Sequence, residues 1–200
     1  VGCYGQAFPD ELAGIDGISI IAGNGNKLGL ADLLHEAPQG CGPHIISGGF
    51  SSKDSFDYLP SRALSDRTRA SLKIQDGCDS FCSYCIVPFA RGPVRSLEPS
   101  KVMKALHALC EEGYKEVVLT GIHLSRYGAD QGNGISLKTL LVMIQKEELP
   151  LRIRLSSLEP NEIDPELIEM MGSCSNICRH LHLPLQSGDD NVLMRMNRHY

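Results

Sequence analysis

Leu72-Lys73-Ile74-Gln75-Asp76-Gly77-Cys78-Asp79-Ser80-Phe81-Cys82-Ser83-Tyr84-Cys85 is the stretch on which the fold turns. Leu72-Lys73-Ile74 reads as a strand, and three thiols follow within one loop. Structural zinc sites favour C-x2-C pairs and four closed ligands. Cys78-x3-Cys82-x2-Cys85 offers three thiolates and no local fourth. That spacing points to a [4Fe–4S] cluster with one open iron, free to bind a small molecule. Phe81 and Tyr84 fill the turns between ligands and are expected to shield the cluster. The plain alternative is three free or structural cysteines.

The chain after this loop alternates regularly. A helix is expected over 99–112, with Pro99 in its first turn, Val102, Leu106, Leu109 and Cys110 on one face, and Gly113 as its stop. Val117-Val118-Leu119 reads as a buried parallel strand. Ser136 caps a second helix, with Leu137, Leu140, Leu141 and Ile144 at helical spacing. Residues 151–157 form a third strand, Asp164-Pro165 opens a third helix and Gly172 closes it. Residues 180–186 read as a fourth strand and 189–195 as a fourth helix. The order is βαβαβαβα, which implies a parallel sheet with helical crossovers, either doubly wound or a (β/α) barrel. In both, ligands bind at the carboxyl ends of the strands. The cysteine triplet, Thr120-Gly121, Ser156-Ser157 and Gln186-Ser187 all fall there.

Upstream, residues 1–35 read as the tail of a smaller α/β domain. Val1-Gly2-Cys3-Tyr4 is expected to leave a strand for a loop, Ile18-Ser19-Ile20-Ile21 is a strand closed by Gly23-Asn24, and 28–35 is a short helix. Residues 36–67, rich in Gly, Pro and Ser, read as a linker holding a short strand at Ile45-Ile46. Residues 68–200 make the second domain. The chain lacks an initial Met and stops at His199-Tyr200 without a terminator, so it reads as an internal piece of a longer protein.

Composition narrows the class. No apolar run is long enough to span a membrane, and residues 1–9 lack a signal peptide's basic and apolar regions. Eight cysteines, spread as one triplet, one looser pair and three singles, suit a reduced cytoplasmic protein with a metal site better than a disulfide scaffold. A net charge of −5 argues against a strongly basic nucleic-acid-binding piece but leaves RNA open as a substrate. Arg62, Arg67, Arg69 and Lys73, then Arg91, Arg95, Lys101 and Lys104, read as solvated faces.

The triplet and its surroundings resemble the radical S-adenosylmethionine (SAM) superfamily. Ile74-Gln75-Asp76-Gly77-Cys78 through Pro88-Phe89-Ala90-Arg91-Gly92 is similar to its methylthiotransferase branch. Thr120-Gly121-Ile122-His123-Leu124, Arg154-Leu155-Ser156-Ser157-Leu158-Glu159-Pro160, His182-Leu183-Pro184-Leu185-Gln186-Ser187-Gly188 and Met194-Arg195-Met196-Asn197-Arg198 extend the resemblance over 72–200. The Thr-Gly-Ile-His stretch resembles the threonylcarbamoyladenosine tRNA methylthiotransferases. Val1-Gly2-Cys3-Tyr4-Gly5-Gln6, Pro9 and Gly23-Asn24 resemble the end of that branch's methylthiotransferase domain, with Gly5 where Ala is more usual.

The resemblance implies a partial parallel (β/α) radical SAM barrel preceded by the tail of a smaller α/β methylthiotransferase domain. It implies a transferase adding a methylthio group to C2 of N6-threonylcarbamoyladenosine beside a tRNA anticodon, using SAM and two [4Fe–4S] clusters. Cys78, Cys82 and Cys85 would hold the SAM cluster and Cys3 an auxiliary cluster. Thr120, Gly121, Arg154, Ser156, Gln186 and Ser187 would contact SAM. The partners would be tRNA and an electron donor, with no membrane, in the cytoplasm. The alternatives are a sibling acting on another modified adenosine or on a ribosomal protein, and a structural metal-binding or RNA-binding module.

Other candidates have ordinary readings beside the chemical one. Cys174-x3-Cys178-x-His180-x-His182 offers zinc-type ligands, yet straddles a loop and a strand without C-x2-C spacing. On a strand, His180 and His182 would share the lumen face and Leu181, Leu183 and Leu185 the helix face. Arg154, sharing a face with Arg152 and Ser156, suits either a bidentate hold on the SAM carboxylate or a rim salt bridge. Gly121 suits close ligand approach or a turn. His123 is read as a structural loop histidine rather than a base, Cys110 as core, and Cys41 as a free loop thiol.

Overall fold

The computed structural model describes residues 1–27, 29–36, 42–50, 56, 58 and 68–200. Cys41 and most of the expected linker lie outside the described residues. The first unit holds α1 (Cys3–Ala7), α2 (Pro9–Ala13), β1 (Ile20–Ala22), α3 (Leu30–Glu36) and β2 (His44–Ile46). β1 and β2 pair in parallel from Ile20↔His44 to Ala22↔Ile46. The first four residues do not exit a strand. Gly2, at φ 122°, turns the chain into α1, and the Gln6 amide donates to the Gly2 carbonyl at 2.9 Å.

The second unit begins with β3 (Arg69–Lys73) and β4 (Gln75–Asp76). It continues through α4 (Val87–Arg91), β5 (Arg95–Ser96), α5 (Pro99–Glu111), β6 (Glu116–Thr120) and α6 (Leu137–Lys146). β7 (Arg152–Leu155), α7 (Pro165–Ser173) and α8 (Asp190–Arg195) complete it. Its main sheet is parallel, in the order β3-β6-β7, with Arg69, Glu116 and Arg152 in one register row. Side chains alternate across a strand. Ala70, Leu72, Val117, Leu119, Ile153 and Leu155 face one way and bury against Val102, Leu106 and Leu109 of α5, Leu140, Leu141 and Ile144 of α6, and Leu167 and Met171 of α7. All three crossover helices therefore cover the same face. A doubly wound sheet would place helices on both. One-sided cover leaves Arg69, Glu116, Arg152 and Arg154 on the opposite face, and is barrel architecture opened out.

The helix ends follow local chemistry. Ser136 accepts from the Thr139 amide at 3.2 Å in a reciprocal capping box. Asp164 and Asp189 cap α7 and α8 through the Leu167 and Val192 amides. Gly172 lies inside α7 rather than ending it, and the turn at Cys174 does so.

The expected fourth strand is not a strand. Residues 177–182 touch the sheet only at two isolated parallel bridges, Ile153↔Ile177 and Ser157↔His182. Between them the His180 amide folds back to the Cys178 carbonyl at 2.8 Å. Beyond them Pro184 lacks a donor and Gln186 sits at φ 64°, so no ladder forms. The two-residue alternation is lost with it: Leu181, Leu183 and Leu185 are exposed instead of packing on helices.

Candidate functional site

The cysteine loop hangs from a small hairpin that periodicity did not reveal. β4 pairs antiparallel with β5, Gln75 opposite Ser96 and Asp76 opposite Arg95, so the chain leaves the sheet, forms the loop and returns. Gly77, at φ 76°, makes the exit. A Cβ there would stand 1.9 Å from the Pro93 carbonyl oxygen. The Cys78 amide then donates to the Gly92 carbonyl at 3.0 Å.

Gln75 organises the base of the loop. It is fully buried. Its Nε2 donates to the carbonyls of Asp76 (3.0 Å) and Gly77 (2.8 Å), and its Oε1 accepts from the His123 amide (2.7 Å). Gly121 is needed for this contact, since a Cβ there would lie 2.8 Å from Gln75 Oε1. Phe81 and Tyr84 do not cover the loop; they remain 54% and 53% exposed at its rim. Phe81 packs edge-on against Phe89 at 5.8 Å.

Each of three candidate thiols faces a cationic or amide donor. Cys78 Sγ lies 3.5 Å from His123 Nδ1, whose other nitrogen lies 2.7 Å from Glu162 Oε2. Burial disfavours a charged His123, yet the bonds to Cys78 and Glu162 win and push its pKa up to about 9. Burial likewise raises the Cys78 thiol, but His123 and Ser80 bring it below its ordinary value. Cys82 Sγ accepts from Arg198 Nη1 at 3.3 Å. The Cys85 amide closes a turn on the Cys82 carbonyl at 2.9 Å. Cys3, in α1, accepts from Arg91 Nε at 3.2 Å and from Asn24 Nδ2 at 3.6 Å. Burial raises that thiol, and the two donors lower it to a net fall.

A cleft of ≈ 330 Å³ opens beside the loop, lined by Cys82, His123, Arg126, Glu159, Glu162 and Arg198 among others. None of the residues expected to contact SAM lines this cleft. Thr120 and Gly121 close β6 beside the loop, where the Ile74 amide donates to the Thr120 carbonyl. Ser156 follows β7, and its buried Oγ has no partner among the described residues. Arg154 sits lower on β7 and bonds Glu116 Oε1 at 2.7 Å, the rim salt bridge. Gln186 and Ser187 lie on the loop before α8, where Ser187 Oγ accepts from the Asp189 amide. Sequence reasoning assigned no role to Gln75, Asp76, Glu162 or Arg198, and read Arg91 and Arg95 as solvated faces, whereas Arg91 bonds Cys3 and Arg95 is buried. Gln75 falls in line with Ser71 and Lys73 on the polar side of the alternation, so no local pattern marked it as buried.

Among the described residues no three Cys, His, Asp or Glu side chains gather at the spacing of one metal ion. A lone zinc draws its donors to about 2.0–2.3 Å of a single centre, so neither the triplet nor Cys174-Cys178-His180-His182 is arranged for one. Cys174 and Cys178 are buried packing residues, and His182 lies 2.6 Å from Ser157 Oγ. The triplet's donor set fits an iron–sulfur cluster, whose thiolates bind separate irons. Its thiols are free, and two of them face N–H donors.

A family model for the Radical SAM superfamily matches residues 72–200. The chain belongs to the radical SAM superfamily. Its cofactors are therefore SAM and a [4Fe–4S] cluster, and its fold is the partial radical SAM barrel. A methyltransferase of the same superfamily, TsrM from Kitasatospora setae, superposes with a TM-score of 0.53 at 19% identity, over 65% of this chain and 26% of that one. Among curated relatives, the threonylcarbamoyladenosine tRNA methylthiotransferases MtaB of Bacillus subtilis and Aquifex aeolicus are 42% and 38% identical across all of this chain. A tRNA-2-methylthio-N(6)-dimethylallyladenosine synthase of Bacteroides thetaiotaomicron is 31% identical. The chain spans 44–48% of the length of these relatives.

Proposed function

We propose that this chain is part of a tRNA methylthiotransferase that modifies C2 of N6-threonylcarbamoyladenosine. Residues 1–35 would be the end of its methylthiotransferase domain, 36–67 a linker and 68–200 its radical SAM domain. The observation that carries the reading is the docking of Cys3 beside the cysteine loop, through Arg91 and through Asn24 Nδ2 on the Ala90 carbonyl at 2.6 Å. A thiol from the first unit thus stands against α4, the helix that follows the cysteine loop of the second, which supports a reaction using two clusters. The relatives of matching length of alignment act on the same class of substrate by their names.

In this reading Cys78, Cys82 and Cys85 hold the SAM cluster, and Cys3 is one ligand of an auxiliary cluster. When bound, the SAM cluster supplies the electron that cleaves SAM reductively. The chain's own residues position and enclose. Gln75 fixes the loop's base, Gly77 lets it leave the sheet, and the His123–Glu162 pair holds Cys78 from behind. The unpartnered Ser156 hydroxyl at the end of β7, with Thr120 and Gly121, offers polar contacts to SAM. Electrons come from an external donor, and the enzyme works in the cytoplasm.

Nucleoside mass spectrometry of tRNA from a strain lacking the full-length gene tests this. Loss of 2-methylthio-N6-threonylcarbamoyladenosine, restored by the wild-type gene, is expected. Its persistence, with loss of the methylthiolated dimethylallyl nucleoside instead, would assign the chain to the sibling branch.

A further inference from the structure

The segment after α8 returns across the whole unit to the cysteine loop. The Ser83 amide donates to the Met196 carbonyl at 3.1 Å. Asn197 Nδ2 donates to the Ser80 and Phe81 carbonyls at 3.1 and 3.0 Å. Those three bonds clamp the loop backbone. Arg198 does something different, because it reaches a sulfur. Its Nη1 donates to Cys82 Sγ at 3.3 Å, its Nη2 bonds Glu159 Oε2 at 2.5 Å, and its Nε bonds the Tyr200 hydroxyl at 3.3 Å. The guanidinium also lies 5.1 Å from the centre of the Tyr200 ring. Its side chain is 8% exposed.

We propose that Arg198 is a positioning residue for the cluster held by Cys78, Cys82 and Cys85, and that its N–H···S bond to Cys82 raises that cluster's reduction potential. The inference rests on the assignment of those cysteines as cluster ligands. Hydrogen bonds to ligand sulfurs, local charge and solvent exposure set the potentials of iron–sulfur clusters. Reduction adds one negative charge, and a fixed cationic donor stabilises the more negative state. Guanidinium stays protonated at every working pH, and burial keeps salt from screening it. A planar fork holds a carboxylate and a sulfur in one fixed geometry, where a lysine ammonium on its flexible stem holds neither direction as firmly. Glu159 and Tyr200 hold the fork so that one N–H is left for the thiolate.

The test is a redox titration followed by electron paramagnetic resonance, on the anaerobically reconstituted full-length protein carrying Cys3→Ala. That background leaves the triplet's cluster as the one observed. The midpoint is expected to fall from the Arg198 parent to Arg198→Lys, and further in Arg198→Met. Asn197→Gly, which cuts the backbone clamp but touches no sulfur, is expected to keep the parent midpoint. An Arg198→Met protein that retains iron at the parent midpoint would overturn the inference. If Arg198→Met loses its iron, Arg198→Gln, shorter and uncharged, at the parent midpoint overturns it equally. A parent with no [4Fe–4S] signal refutes the cluster assignment itself; a parent signal indifferent to Arg198 refutes this inference alone.

Discussion

Cys3 and Cys82 both accept a hydrogen bond from an arginine, yet the two arginines are placed differently. Arg198 is nearly sealed from solvent, and Glu159 and Tyr200, both in its own unit, hold it against its sulfur. Arg91 is 22% exposed and divides itself between Cys3 and Asp76 Oδ1 at 3.4 Å, while Asp76 also takes Lys73 Nζ at 3.1 Å. Asp76 lies two residues before Cys78. Arg91 therefore joins two cysteine-bearing segments, where Arg198 tunes one. A buried donor held within one unit shapes the sulfur it touches; a donor shared across two units docks one on the other.

The sharpest way to break this comparison is to remove each thiol from the full-length enzyme. Cys82→Ala is expected to abolish 5′-deoxyadenosine formation. Cys3→Ala is expected to keep that cleavage while abolishing methylthiolation, with about four irons lost per protein in each case. Chromatography of the nucleoside products and iron analysis decide it; equal effects of the two variants would erase the distinction.

Gly77→Ala comes next in size. The added Cβ meets the Pro93 carbonyl in a backbone conformation that L residues avoid. A loss of about 3 kcal/mol is expected in denaturant unfolding, with iron lost from the triplet. Unchanged stability would mean the hairpin relaxes freely. Arg91→Ala is expected to cost about 1–2 kcal/mol. It should speed amide exchange in α1 but leave α5 protected, a local undocking visible by hydrogen-exchange mass spectrometry. Uniform exchange would deny Arg91 its docking role.

Ser136→Ala is the smallest change, far from both thiols. It is expected to lower stability by about 1 kcal/mol through the lost cap, with no change in the iron content of either site. A loss of iron there would show that α6 reports to the loop.

Much of this was legible in the residues. The period of Leu137, Leu140, Leu141 and Ile144 and the capping Ser136 set α6, because burial of one face decides a helix. The alternation of strands and helices set the parallel sheet. What the residues did not reveal has physical causes. The β4–β5 hairpin is two residues deep, too short for a two-residue period to register. Residues 180–186 alternate polar and apolar like a strand, but Pro184 and the fold-back at His180 withdraw the amides a ladder needs. Arg91, Glu162 and Arg198 are ordinary charged residues in sequence. Their importance comes from partners 39 to 116 positions away, and no local pattern encodes such pairs. Gly121 was read as a point of close ligand approach or a turn; what stands against it in the structure is the Gln75 side chain.

The clamp that joins Asn197 and Arg198 to the loop also fixes a moment in the life of the chain. Cys82 is synthesised 116 residues before Arg198. At about 5–20 residues per second, the thiols wait roughly 6–23 s on the ribosome without their donor and without the segment that holds their loop. Exposed thiols left waiting are open to oxidation. On the proposed assignment of the triplet, iron–sulfur loading is expected to await the finished domain, with a yield set by how quickly α8 and the residues after it reach the loop.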